Sequence, residues 1–261
     1  MSEALALKCD GVTMTFGGLV AVRDFTLNLP PGRLYGLIGP NGAGKTTVFN
    51  VITGVYRPTG GRVMVFGEDI TGLRPDLVCR RGVARTFQNI RLFSGMSVLD
   101  NVLVGFHAAR RDSFADVVLC LPRGRREERQ RREKAMELLA TVGLDRYAWY
   151  PAGSLPYGQQ RRLEIAKALA TRPRLLLLDE PAAGMNPSET AELMHLIMKI
   201  KESFDLTILL IEHQMRVVMG ICERITVLDY GVTIAEGTPA EIQSNQAVIE
   251  AYLGGAVNAR A

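Results

Sequence analysis

The run Gly39–Thr46, "GPNGAGKT", limits what this chain can fold into more than any other segment. It follows an apolar stretch with strand character, "RLYGLI", and precedes a helical pattern, "TTVFNVITG". Gly42 and Gly44 allow the backbone to turn its N–H groups inward, where side chains would keep an anion away. A helix opening near Lys45 adds the positive end of its dipole. Lys45 then reaches the outer phosphates, and the Thr46 hydroxyl suits Mg²⁺. The loop therefore predicts a nucleotide site on a strand–loop–helix unit.

The rest of the chain supplies the sheet that such a unit needs. "LALKCDGVTMTF" and "AVRDFTLNL" alternate like strands around Gly17 and Gly18, predicting an antiparallel hairpin. "RVMVFG", "RLLLLDE", "LTILLIE" and "RITVLD" read as further strands, and "VLDYGVTIAEG" as a hairpin turning at Tyr230-Gly231. Leu193, Leu196, Ile197, Ile200 and Phe204 share one face of an intervening helix. Between about Gln88 and Leu155 the texture becomes rich in Arg, Glu and Ala. There "EERQRREKAMELLATVG" predicts a helix with Met136, Leu139 and Val142 on one face and Gly143 as its stop. The predicted fold is α/β: a P-loop core of mostly parallel sheet flanked by helices, with an antiparallel β subdomain. Residues 1–87 and 164–261 form that core, and 88–163 form an inserted helical subdomain.

"LLLLDEPAAGMNP" adds the second half of a reaction centre. Four leucines form a strand buried on both faces and ending in Asp179 and Glu180. Asp179 is placed to hold Mg²⁺ through its water shell. Glu180 faces a different direction and can orient an attacking water and accept its proton. His213 closes the neighbouring strand "TILLIE" and is expected at the γ-phosphate. The chemistry implied is phosphoryl transfer to water.

Composition narrows the setting. Hydrophobic residues make up 47% of the 261, enough for a substantial core, and the net charge is +4. That excess suits anionic ligands or a membrane surface and does not point to nucleic acid, so no nucleic-acid partner is expected. Six arginines from Arg123 to Arg132, interleaved with Glu127 and Glu128, read as a solvated helix face. Cys9, Cys79, Cys120 and Cys222 form no CxxC pair, so neither a zinc site nor a disulfide framework is expected. "MSEALALKCDG" lacks a signal-peptide pattern, and no segment approaches the roughly 20 apolar residues of a membrane span.

With these residues in place, the chain resembles the ATP-binding subunit of ABC transporters over nearly its whole length. The resemblance is carried, in order, by Phe16, "GPNGAGKTT", Gln88 in "RTFQNIRLF", "LPYGQ", "LLLLDE", "AAGMNP" and "IEHQM". It implies that Phe16 stacks on adenine and that Gly39, Pro40, Asn41, Gly42, Ala43, Gly44, Lys45, Thr46 and Thr47 bind the phosphates of ATP. It implies that Gln88, the Q-loop residue, joins Thr46 and Asp179 around Mg²⁺. Glu180, His213 and Lys45 are then the catalytic set, and Gly184, Met185 and Asn186 the D-loop. Leu155, Pro156, Tyr157, Gly158 and Gln159 occupy the signature position, which in such proteins caps the ATP of a second subunit. The usual signature reads Leu-Ser-Gly-Gly-Gln, so Pro156 and Tyr157 are departures. Proline offers phosphate neither a hydroxyl nor an N–H.

Within that family the chain is most similar to the branched-chain (hydrophobic) amino acid uptake type, through "TVFNVITGVYRPTGG", "YGQQRRLEIAKALAT", "LLIEHQMRVVMGIC" and "VIEAYLGG". This implies an importer at the cytoplasmic face of the inner membrane. Its partners would be a second ATPase subunit, more readily a different chain than a copy, and two transmembrane permease subunits, with an external solute-binding protein acting indirectly. Urea or amide uptake and lipopolysaccharide export are the alternatives among related systems. Phe87, Leu92 and Phe93 are candidates for apolar contact with a membrane subunit.

Overall fold

The computed structural model describes residues 5–108 and 122–258. Packing divides the chain into two compact units, Met1–Arg85 with Arg174–Ala261, and Thr86–Pro173. The strands are β1 (Leu7–Phe16), β2 (Leu19–Leu29), β3 (Leu34–Ile38), β4 (Gly60–Val65), β5 (Glu68–Asp69), β6 (Val83–Arg85), β7 (Leu175–Asp179), β8 (Thr207–Ile211), β9 (Arg224–Asp229) and β10 (Val232–Gly237). The helices are α1 (Lys45–Ile52), α2 (Pro75–Arg80), α3 (Val98–Ala108), α4 (Pro122–Thr141), α5 (Tyr157–Leu169), α6 (Pro187–Ser203), α7 (Met215–Ile221), α8 (Pro239–Gln243) and α9 (Gln246–Asn258).

The first unit holds both sheets. One is antiparallel in the order β2-β1-β4-β5, and its leading hairpin turns at Gly17-Gly18 with Phe16 opposite Leu19. Leu7 and Cys9, then Val12 and Met14, of β1 face its core, the alternation shifting by one residue at the irregularity around Gly11 (φ 59°). The other runs β10-β9-β3-β8-β7-β6, parallel except for β10. Every residue of β3, β7 and β8 is buried. That is why these strands read as continuous Leu/Ile runs: both faces are covered, and each fully buried leucine is worth about 1.5–3 kcal/mol. The β9–β10 hairpin turns at Tyr230 (φ 44°) and Gly231 (φ 80°), the positive-φ pair of a tight hairpin.

Helix α6 begins with Asn186 as its N-cap: the side chain accepts from Ser188 and Glu189 N–H groups, and Glu189 reaches back to Asn186 N–H. Leu193, Leu196, Ile197 and Ile200 are buried along one stripe. Phe204, expected on the same stripe, lies past the helix end and is 39% exposed. The chain bends there, with Asp205 at positive φ, to enter β8. Strand β6 and helix α2 were not anticipated; three residues and six residues are too short for periodicity to register.

The second unit packs α3, α4 and α5. Ala135, Leu138, Leu139 and Val142 are buried, while Met136 is half-buried, so the apolar stripe is centred one residue away from the predicted one. Gly143 follows at φ 73°. Earlier in α4, Arg129, Arg131 and Arg132 pair with Glu133, Glu127 and Glu128 one turn away. Arg129 and Arg132 are exposed as a solvated face requires, whereas the Arg131 side chain is only 20% exposed and stands seven positions before buried Leu138. The side chains of Arg123, Arg125 and Arg126 lie outside the described residues. Among the described residues Cys9, Cys79 and Cys222 form no disulfide; Cys120 lies outside them.

Candidate active site

The phosphate loop leaves β3 at Gly39, whose backbone (φ 150°) brings a notional Cβ within 2.0 Å of the Leu228 carbonyl oxygen. Gly44, at φ 100°, is the N-cap of α1 and would push a Cβ to 2.7 Å from the Ala21 carbonyl. Only glycine fits either place. The β9–β10 turn braces the loop from outside: Gly231 N–H donates to Ala43 O at 3.0 Å, and Arg23 N–H donates to Gly231 O at 2.8 Å. Lys45 is buried, and its ammonium donates to the Gly39 and Pro40 carbonyls at 2.7 and 2.8 Å. Burial lowers its pKa, while the Glu180 and Asp179 carboxylates pull in the opposite direction. The lysine and both strand-end acids thus share one electrostatic neighbourhood.

Those acids are set by strand register. Asp179 pairs with Ile211 across β7 and β8, and Glu180 N–H donates to Ile211 O at 2.9 Å. Glu180 adopts φ 47°, a left-handed conformation that costs a non-glycine residue about 1–2 kcal/mol. The kink takes Glu180 off the strand direction, and its Oε2 lies 3.5 Å from His213 Nδ1. Glu180 and His213 therefore face each other. Phe16 ends β1 with 42% of its surface exposed and Tyr56 at its edge, 5.1 Å between ring centroids.

Three neighbours escaped the sequence reading. Arg85, at the end of β6, is buried and bonds Asp179 Oδ2 at 2.6 Å and Asn50 Oδ1 of α1 at 2.7 Å. Glu212 is fully buried and accepts from the Ala182, His213 and Gln214 N–H groups. Burial raises its pKa, partly offset by those three donors. Gln214 closes the same patch by donating to Ala182 O at 2.9 Å. The stretch after Glu180 is thereby pinned to the stretch bearing His213. In the D-loop, Gly184 takes φ 76°, Met185 N–H bonds Ala182 O, and Asn186 is occupied as the cap of α6.

For a divalent cation the donor set is telling. Among the described residues no cluster of three or more His, Cys, Asp or Glu side chains is arranged to hold a metal. Thr46 and Asp179 instead offer two hard oxygens, which suits Mg²⁺: it keeps several waters and takes its remaining ligands from phosphates.

Gln88 and residues 155–159 belong to the second unit. Gln88 is exposed, and the segment it lies in has no regular structure. Pro156 is the N-cap of α5 and provides no side-chain cap; Tyr157 follows, 45% exposed. The Tyr157 hydroxyl accepts from Arg161, whose guanidinium also reaches the Phe87 and Gln88 carbonyls. Phe93 is 51% exposed and Phe87 and Leu92 half-buried, with the Arg91 guanidinium lying over the Phe87 ring.

A glycine-rich loop feeding a helix, a buried lysine within it, and two acids at the end of the next strand but one in the same sheet define a P-loop ATPase. The family model "ABC transporter" matches residues 22–183, and the model "Branched-chain amino acid ATP-binding cassette transporter" matches residues 232–258. This chain belongs to the ABC transporter family as an ATP-binding cassette. It is 49% identical to the high-affinity branched-chain amino acid transport ATP-binding protein BraF of Pseudomonas aeruginosa, over 95% of this chain and 97% of that protein. It is 47% identical to LivG of Escherichia coli K12, of the same description, over 97% of this chain and 99% of that one. Among solved structures, the ADP conformation of the ATP-binding cassette MJ1267 superposes with a TM-score of 0.83 at 30% identity, covering 96% of this chain and 99% of that one. The dimeric cassette MJ0796, bound to ADP and phosphate after hydrolysis, gives 0.75 at 27% identity, over 89% and 98%.

Proposed function

We propose that this chain is one of two ATPase cassettes of a bacterial importer that carries branched-chain or other hydrophobic amino acids across the inner membrane. What supports the solute class is the near full-length likeness to two branched-chain amino acid transport ATP-binding proteins, at 49% and 47% identity. The match of residues 232–258 to the branched-chain model supports it independently of the nucleotide motifs.

In this reading Gly39–Thr47 hold the triphosphate, and Lys45 exchanges its two loop carbonyls for phosphate oxygens. Phe16 stacks on adenine. Thr46, Asp179 and Gln88 would hold Mg²⁺, which would supply positive charge against the phosphates. Glu180 orients a water and accepts its proton as the oxygen bonds to the γ-phosphorus. The bridging P–O bond breaks, leaving ADP and phosphate. His213 contacts the γ-phosphate and is held there by Glu180. Leu155–Gln159 cap the nucleotide of the second cassette, and Gly184, Met185 and Asn186 face that cassette.

Swinging a pair of cassettes from open to closed, from 1:99 to 99:1, takes about 5.5 kcal/mol of differential binding, and contacts shared across a γ-phosphate are a sufficient source. No helix among the described residues is long and apolar enough to cross a membrane. Attachment to the cytoplasmic face is therefore assigned to two membrane subunits, one of which touches Phe87, Leu92 and Phe93. The test is reconstitution in liposomes with the sister cassette, both membrane subunits and the solute-binding protein. Leucine-loaded binding protein should raise ATP turnover, and urea or short amides should not. Stimulation by urea in place of leucine would transfer the chain to the amide-uptake systems.

A further inference from the structure

Helix α5 carries Tyr157, Arg161, Glu164 and Lys167 at spacings of four, three and three, so they line one side of the helix. Arg161, Glu164 and Lys167 bond residues 87–91 directly, and Tyr157 bonds Arg161. Arg161 donates to Phe87 O at 2.6 Å, to Gln88 O, to Tyr157 Oη at 2.9 Å, and to Glu164 Oε2 at 3.3 Å. Glu164 Oε1 accepts from the N–H groups of Phe87 and Arg91, each at 3.3 Å, and Lys167 donates to Arg91 O. Five main-chain groups of an irregular segment are thus satisfied by side chains in place of a strand or helix. Arg161 and Glu164 are 2% and 3% exposed. Arg161 Nε is buried without an acceptor, which a guanidinium tolerates only when its remaining N–H groups are well held.

We propose that Tyr157, Arg161 and Glu164 are positioning residues that hold Gln88 in fixed register with the turn at Pro156–Gly158, so that the two move as one piece. Glycine, usual at position 157 in this family, has no hydroxyl with which to fix Arg161. The substitution that departs from the family pattern thus gives the arginine its fourth contact. Lysine at 161 could keep the ion pair with Glu164 but could not reach two carbonyls and a hydroxyl together. The proposal rests on the reading that residues 155–159 cap a partner's nucleotide and that Gln88 serves the site of its own chain.

The experiment uses the assembled transporter with Tyr157→Phe, Arg161→Lys and the double variant. Each single change should lower kcat for ATP about 3- to 10-fold with KM for ATP within about 2-fold, because the linkage bears on hydrolysis and not on nucleotide affinity. The double variant should be no worse than the poorer single, because both remove one linkage. Amide exchange at Phe87 and Arg91 should quicken in Arg161→Lys. Multiplicative losses in kcat, a change confined to KM, or unaltered exchange would overturn the proposal. A parallel sample with Glu180→Gln in an otherwise unaltered chain tests the underlying reading: if ATP fails to pair it with the sister cassette, that reading falls and takes the proposal with it. If pairing occurs, the kinetic result stands on its own.

Discussion

Arg85 Nη2 lies 2.6 Å from Asp179 Oδ2, and the two side chains are 6% and 5% exposed. The strand-end acid assigned to Mg²⁺ is therefore paired with a cation from the neighbouring strand, three positions before Gln88. Removing one member of a buried pair costs about 3–5 kcal/mol, because the other charge is left uncompensated. Arg85→Gln should lower nucleotide-free stability by about that amount. Mg·ATP, bringing its own cation toward Asp179, should recover more stability in the variant than in the parent chain. Thermal melts with and without Mg·ATP check this; equal upward shifts in both proteins would contradict it.

Glu180 and Lys45 sit close enough to influence each other electrostatically, yet their loss should look different. Glu180→Gln removes the proton acceptor and should cut turnover about 10²- to 10⁴-fold while ATP binding survives. Lys45→Ala removes the cation inside the loop and should abolish most ATP affinity. Equilibrium binding of a fluorescent ATP analogue, set beside phosphate release, separates the two. Intact binding in Lys45→Ala would remove the basis for placing phosphates in this loop.

Pro156 caps α5 without a side-chain hydrogen bond. Serine there can accept from the first-turn N–H groups, worth about 0.5–2 kcal/mol, and restores a hydroxyl at the family's usual place. Pro156→Ser should raise both the melting temperature and the ATPase rate of the assembled complex. An unchanged rate would mean that this proline does not weaken the composite site.

Cys9 is fully buried in the antiparallel sheet, and burial pushes its thiol up to about 12 from an ordinary 9.0. The unfolded chain ionises first, so the stability linked to this thiol is complete below pH 9 and is lost as pH rises toward 12. Between about pH 8 and about pH 10.5 the parent should lose about 2 kcal/mol more than Cys9→Ala. Urea unfolding at both pH values measures it, and identical losses in the two proteins would contradict it.

What could be read from the sequence was whatever is encoded within one strand–loop–helix stretch. The phosphate loop, the Asp179-Glu180 strand end and the Tyr230-Gly231 turn each declare themselves within a dozen residues. The stripe of α6 was legible as far as Ile200 but not at Phe204, because periodicity does not report where a helix stops. Arg85, Arg161, Glu164 and Glu212 were not legible as site residues. Their partners lie 94, 74, 77 and 30 positions away, and only the completed fold brings them within bonding distance. A charged residue bound for burial looks, in sequence, like one bound for solvent.

Gly231 N–H holds Ala43 O while Arg23 N–H holds Gly231 O, so β2, the phosphate loop and the β9–β10 turn form a three-membered stack of main-chain bonds. The polypeptide's early and late portions therefore share custody of its nucleotide cradle. Shortening the protein just beyond β9, however remote that cut looks on paper, would loosen the cradle directly.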